Sequence, residues 1–176
     1  MKYLQKVIEY VDSLFSNHDE HFARTLYWAC QLKPDADQSV QIAAYAHDTG
    51  RALTKYDKGA FLLDEEALKK HQESGALEIY NFLLRKGANV ELAKKVRSLI
   101  ASHEVGGNEE QNLIKDADSI SYFEVNVLKH INRTDEFSKE EIGAKFDRMY
   151  NRISSKKAKN IAKPLYEKAI ELLKNK

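Results

Sequence analysis

Proline is almost missing from this chain, two in 176 residues, and glycine numbers only seven. A many-stranded β fold needs turn residues every few positions, so this scarcity excludes one and favours helices. The single cysteine, Cys30, rules out an internal disulfide framework and suits a reducing compartment. No apolar run has the length of a bilayer-spanning helix, so no membrane partner is expected. The opening Met1-Lys2-Tyr3-Leu4-Gln5-Lys6 lacks the apolar core of a secretory signal, and a cytoplasmic protein is expected. Neither sign of charge dominates: 28 Lys and Arg against 27 Asp and Glu leave a net charge of +1. Such a balance supplies no global field for nucleic acid or an acidic membrane, and no nucleic-acid partner is expected.

What is present is a helical pattern. Leu4, Val7, Ile8, Val11, Leu14 and Phe15 recur at the spacing of one buried face over residues 2–16. Asn17 and Glu20 form a capping box for a second helix, which runs to about Leu32 and ends before Pro34. A third, from about Asp37 or Ser39, is built of small residues and ends in His47-Asp48. Residues 50–64 have no clear period and read as a loop beside that end, a partial lid. Helices then follow over Glu65–Arg85, ended by Gly87; over Asn89–His103, ended by Gly106-Gly107; and over Gln111–Asn132. Ser138 and Glu141 box the next, through Ile153, and a Lys-rich amphipathic helix runs from Ser154 to Leu173. The expectation is an all-α fold of about seven or eight helices in one compact domain over 1–176. Amphipathic helices at both termini can close the core or form the face of a homodimer.

The stretch Ala43-Ala44-Tyr45-Ala46-His47-Asp48-Thr49-Gly50-Arg51 organises the rest. Adjacent side chains project about 100° apart on a helix, but where the backbone leaves its last turn both can converge on one ion. Imidazole nitrogen and carboxylate oxygen together suit a divalent metal. His21 lies in the first turns of the second helix, His71 in the fourth, His103 at the end of the fifth, and Asp116-Ala117-Asp118 opens the sixth. Polar residues on different helices, each beside an apolar stripe, are what a metal site inside a bundle requires. Other residues have plainer readings. His18 sits in a solvated position, and His130 is an exposed or helix-terminal cation. Cys30 is a small core residue. Phe22, Tyr27 and Trp28 belong mostly to the core, with one of them free to stack on a base. The lysines of the tail form a solvated face.

The order His21-x-x-Arg24, then Ala46-His47-Asp48-Thr49-Gly50, then Lys115-Asp116-Ala117-Asp118 resembles the HD-domain superfamily of metal-dependent phosphohydrolases. The resemblance covers about 18–130, which makes the helices over 138–174 an addition packed on the motif-bearing part. It implies His21, His47, Asp48 and Asp118 as metal ligands. Asp118 is preferred to Asp116 because the family's ligand is the second acid of its Asp-x-Asp, and residues two apart on a helix point nearly oppositely. Asp116 then caps or supports. Some members hold two metals through two additional histidines. By that likeness His71 and His103 are either ligands of a second ion, with Asp48 bridging, or pocket residues beside a single one. Arg51, where many relatives carry lysine, supplies a cation for phosphate, as can Arg24.

The activity so implied is hydrolysis of a phosphate ester or anhydride in a small, nucleotide-like substrate by metal-activated water. His71, His103 and Arg51 are the residues expected to act on substrate or protons. A thiolate-free donor set leaves Mn, Fe, Co, Ni, Zn or Mg open, as one ion or two. Two alternatives stand beside it: a di-iron oxygenase on the same six residues, and a metal-containing regulatory module that binds a nucleotide without turnover.

Overall fold

The computed structural model describes residues 2–15, 20–54 and 65–176. Among these every regular element is helical, and no strand occurs. Helix α1 (Leu4–Leu14) buries Val7 and Val11, four apart on one face. Helix α2 (Glu20–Leu32) buries His21, Phe22, Thr25 and Ala29. Helix α3 (Gln38–Ala46) starts at Asp37, whose side chain accepts from the Val40 amide at 3.0 Å. From Ser39 to Ala46 every residue except Gln41 is buried. Alanines at 43, 44 and 46 keep this helix thin, so its neighbours approach from all sides.

The residues from Gly50 do not all form the loop that the sequence suggests. A turn at 47–49 leads straight into a short helix, α4 (Gly50–Leu53). Gly50 is required there by contact, since a Cβ on it would collide with the carbonyl oxygen of His71. The rest of the expected lid, 55–64, lies outside the described residues, as do His18 and Asn17.

Helix α5 (Glu65–Arg85) closes on Gly87 at φ +79°, with the Ala88 amide donating to Leu83 O at 3.0 Å. That is the glycine-terminated helix end the sequence predicts. Helix α6 (Val90–Ala101) is capped by Asn89. Helix α7 (Glu109–Ser121) begins two residues earlier than predicted, because Asn108 and Gln111 form a capping box. The single helix expected over 111–132 is divided by a π-helical turn, Tyr122–Asn126, before α8 (Val127–Ile131). Such a turn inserts one residue per turn and re-aims the side chains beyond it. Helix α9 (Lys139–Asn151) carries the Ser138–Glu141 box, and α10 (Lys156–Lys174) is capped by Ser155.

Two apolar clusters adjoin. One takes Val40, Ile79, Val96, Ile100 and Ile114 from α3 and α5–α7. The other takes Ile120, Phe123, Phe146 and Ala162 from α7, the π turn, α9 and α10. Trp28 and Leu32 of α2 pack against both. Thus α2, α3 and α7 cross where the clusters meet, and their polar residues are buried there. No described helix is long and apolar enough to cross a membrane.

Candidate metal centre

His47 and Asp48 lie where the chain leaves α3, 0% and 6% exposed. His47 Nδ1 donates to the Ala44 carbonyl at 2.9 Å, and His103 Nδ1, just past α6, donates to the Ile100 carbonyl at 2.8 Å. A carbonyl only accepts, so in the neutral rings Nδ1 carries the proton and Nε2 keeps its lone pair. His21 is fixed in the same sense. The Ser121 hydroxyl donates to the His21 carbonyl at 3.0 Å and accepts from His21 Nδ1 at 2.8 Å.

The Nε2 atoms converge. His21 and His47 bring theirs to 3.3 Å from each other, as do His71 and His103. Asp118 Oδ1 lies 3.0 Å from His21 Nε2 and 3.6 Å from His47 Nε2. Asp48 Oδ2 lies 3.8 Å from His47 Nε2, while its Oδ1 is 3.4 Å from His71 Nε2 and 3.5 Å from His103 Nε2. Lone pairs therefore face lone pairs and carboxylates. Asp48 Oδ1 is buried with no hydrogen bond among the described residues, a situation that costs about 1–3 kcal/mol unless a cation compensates it. Two sets of donor atoms, His21-His47-Asp48 and Asp48-His71-His103, each lie within 4.8 Å of one another. Asp48 belongs to both. These residues fit a divalent metal ion in donor type and in orientation.

The structure also places three residues that the sequence reading missed. Arg152, at the end of α9, has a side chain only 8% exposed. Its Nη1 donates to Glu104 Oε2 at 2.6 Å, its Nε to Ser119 Oγ at 2.8 Å, and its Nη2 to Asp118 Oδ2. Glu104 Oε1 faces His71 and His103, 3.9 Å from each Nε2. Lys145, on α9, is 6% exposed. Glu104 was legible in principle, since it follows His103 directly, whereas Arg152 and Lys145 sit on a helix whose spacing shows only its apolar stripe.

Charges in this cluster hold one another in place. Burial opposes ionisation of Asp48, but Arg51 and His47 outweigh it and keep the carboxyl well below its usual range. Burial likewise opposes ionisation of Asp118 and Glu104, and Arg152 overrides it in both, taking Glu104 to about 2. Burial also works against a charge on His47, yet Asp118 and Asp48 raise its pKa, while burial keeps His103 below the ordinary value.

A cavity of about 310 Å³ opens onto His21, Asp48 and Asp118. Arg51 lies on its wall and donates from Nε to Asp48 Oδ2 at 2.6 Å. Arg24, by contrast, is not brought to the site. Its guanidinium makes two 2.7 Å bonds to Glu124, a bidentate match, and stacks 4.1 Å from the Tyr27 ring centre. His130 is not the exposed cation expected from its helix end. It lines the cavity, its Nδ1 lies 2.6 Å from the Tyr122 hydroxyl, and burial and then Lys145 push its pKa down to about 3. Phe22 lines the cavity as well, Tyr27 is exposed, and Trp28 donates to Glu124 at 2.8 Å. Cys30 is half-buried with its thiol pKa raised by burial, which disfavours a nucleophilic role. Asp116 caps rather than converges: its two carboxylate oxygens accept the Ser154 and Ser155 amides at 2.7 and 2.8 Å.

No curated protein matches the chain by sequence. Solved structures with its fold include a predicted HD superfamily hydrolase from an uncultured Thermotogales bacterium, 19% identical with a TM-score of 0.65 over 98% of this chain and 90% of that one. They also include Bacillus subtilis YpgQ in complex with ADP, 21% identical with a TM-score of 0.69 over 99% and 93%. At these identities the likeness is one of fold. The model of the HD domain matches residues 19–122, the stretch that carries His21, His47-Asp48, His71, His103 and Asp118. The chain therefore belongs to the HD domain family.

Proposed function

We propose that this protein is a metal-dependent phosphohydrolase acting on a phosphate ester or anhydride of a small, nucleotide-like substrate. The observation that carries this reading is the buried gathering of four imidazoles and two carboxylates, His21 and His47 beside Asp118 and His71 and His103 beside an Asp48 Oδ1 that makes no hydrogen bond among the described residues. His21, His47, Asp48 and Asp118 would hold a divalent ion. Asp48, His71 and His103 would hold a second, or the two histidines would line the pocket of the first. When bound, a divalent ion supplies Lewis acidity, which acidifies water and polarises a phosphoryl oxygen.

The chain's own residues do the rest. The Nδ1 bonds of His21, His47 and His103 fix ring orientation before substrate arrives. Arg51 is placed to give its guanidinium to a phosphoryl oxygen where negative charge builds up. Unligated, His71 and His103 can receive or return a proton at Nε2 beside Asp48. Phe15, Phe22 and Met149 give the cavity an apolar side on which a base can rest. The ADP complex of YpgQ supports the nucleotide reading, since the same fold there holds an adenine nucleotide.

The test is elemental analysis of the purified protein, then a phosphatase and phosphodiesterase panel with the metal found restored. His47→Ala and Asp48→Ala are expected to abolish turnover while helix content survives. Turnover at the wild-type rate in either variant overturns the reading. The position of Asp48 between two histidine pairs also favours a second reading, a mixed-valent di-iron oxygenase. Two irons, a visible chromophore and oxygen uptake would select it. Tight nucleotide binding with no turnover across the panel would instead select a regulatory module.

A further inference from the structure

We infer that Glu104 is a carboxylate ligand of a second metal ion, the counterpart at His71 and His103 of Asp118 at His21 and His47. The inference rests on the metal-dependent reading proposed above, in its two-ion form, and adds a ligand to it.

Without Glu104 the two donor sets are unequal. His21 and His47 face Asp118 Oδ1 at 3.0 and 3.6 Å and share Asp48 with the other pair. His71 and His103 face Asp48 Oδ1 at 3.4 and 3.5 Å. A dication there would meet two imidazoles, which carry no charge as ligands, and a share of one carboxylate. Glu104 Oε1 brings a second carboxylate to that point, 3.9 Å from each Nε2. That separation is too long for a hydrogen bond. Two metal–ligand bonds of about 2.0–2.2 Å span it.

Glu104 is also held as Asp118 is. Arg152 Nη2 donates to Asp118 Oδ2, and its Nη1 donates to Glu104 Oε2 at 2.6 Å. One guanidinium thus takes one oxygen of each carboxylate and leaves the other turned toward a histidine pair. The Nε bond to Ser119 Oγ, 2.8 Å long, fixes the plane of the fork. Arg148 Nη2 lies 3.6 Å from the same Glu104 Oε2, so both arginines address that oxygen. The backbone is anchored as well. The Glu104 amide donates at 3.1 Å to the side chain of the buried Gln72, the residue after His71, and Gln72 in turn donates to Leu68 O at 3.1 Å. Oε1 is therefore positioned from α5 and from the end of α9 before any ion arrives. An ion pair that only tied Arg152 down would not need Oε1 beside the lone pair of His103 Nε2. Those two atoms repel unless a cation lies between them.

The experiment titrates chelator-stripped protein with manganese(II), followed by calorimetry and by the electron paramagnetic resonance of the bound ions. Wild type is expected to take two ions with a coupled spectrum, because Asp48 is shared. Glu104→Gln keeps the shape and the bond to Arg152 but turns an NH2 group toward the imidazoles. It should weaken the second ion at least about tenfold and lose the coupled spectrum, with the affinity of the first ion unchanged. Glu104→Asp keeps the charge and should hold the second ion more tightly than Glu104→Gln. A purely structural ion pair predicts the reverse order, since glutamine is the closer match in shape. In a His71→Ala background, with one ion left, adding Glu104→Gln should change nothing further. Helix content by circular dichroism and the retained first ion show that each variant is folded. Equal weakening of both ions, an unchanged second ion in Glu104→Gln, the reverse order of the two variants, or a further loss in the His71→Ala background overturns the assignment. A wild-type ratio of one overturns it too and leaves a single-ion hydrolase standing. Two ions with the selective loss, but no phosphate compound hydrolysed, uphold Glu104 and overturn the hydrolase.

Discussion

Gly50 and Gly75 meet backbone to backbone, so closely that a Cβ on Gly75 would sit 2.6 Å from the Gly50 amide nitrogen. This contact presses α4 onto α5 at the level of His71, and so sets the approach of His71 to Asp48 two residues before Gly50. Gly75→Ala must push the helices apart and is expected to cost about 1–3 kcal/mol. The metal site should loosen with it. Gly143 is the control, because a Cβ there meets only Leu173 at an ordinary 3.7 Å. Gly143→Ala should be neutral or stabilise by a few tenths to about 1 kcal/mol, as expected inside a helix. Thermal unfolding of both variants, with metal content alongside, reads the difference.

Arg152 holds three acceptors on two other segments of the chain, Asp118, Ser119 and Glu104. Removing it leaves the buried Asp118 without its guanidinium and Glu104 with only Arg148 at 3.6 Å, and breaking a buried pair in this way typically costs about 3–5 kcal/mol. Arg152→Met should therefore lower the stability of metal-stripped protein by that order, and added metal should recover part of it. Arg152→Lys should recover little, because an ammonium cannot serve three acceptors in the planar fork of a guanidinium. Denaturant unfolding with and without metal measures both.

The helices, and the histidines and aspartates that the structure gathers at one buried point, were legible in the sequence for different reasons. Helix ends were legible where a cap or a positive-φ glycine fixes them, as at Ser138 and Gly87. The π turn at 122–126 was not, because no glycine, proline or cap in Tyr122–Asn126 marks the one-residue excess. The loop reading of Gly50–Leu53 failed because glycine there serves close packing, which sequence spacing does not reveal. His21, His47, Asp48 and Asp118 came from motif order, and their meeting depends on α2, α3 and α7 crossing. Arg152 and Lys145 stayed hidden because they are distant in sequence and ordinary in type. Arg24 misled because its nearness to His21 in sequence says nothing about Glu124, 100 residues away.

His130 makes the stability depend on pH with a definite sign. Its folded pKa of about 3 lies below the ordinary 6.5, so the unfolded chain takes up the proton first as pH falls. Its contribution is complete above pH 6.5 and is lost progressively as the pH drops toward 3, at up to about 1.4 kcal/mol per pH unit. Glu104, depressed from 4.5 to about 2, adds its own loss only at lower pH. Comparing metal-stripped wild type with His130→Gln between pH 7 and 5 isolates the histidine. The wild type should lose stability faster on acidification, and parallel curves would contradict a half-buried imidazole held neutral.

Metal should bind the folded chain alone, because the unfolded chain scatters the donors, His47-Asp48 lying 26 and 27 positions and Asp118 97 positions beyond His21. Binding then stabilises in proportion to the logarithm of free metal, about 2.7 kcal/mol at a hundredfold excess over the dissociation constant. A chelator should accordingly lower the melting temperature. The two donor sets share Asp48, which sets an order of loss. We expect a metal-to-protein ratio near two that falls to one in His71→Ala and in His103→Ala, and to near zero in Asp48→Ala. A wild-type ratio of one that survives His71→Ala would instead make His71 and His103 walls of the pocket, where their Nε2 atoms face substrate rather than a second ion.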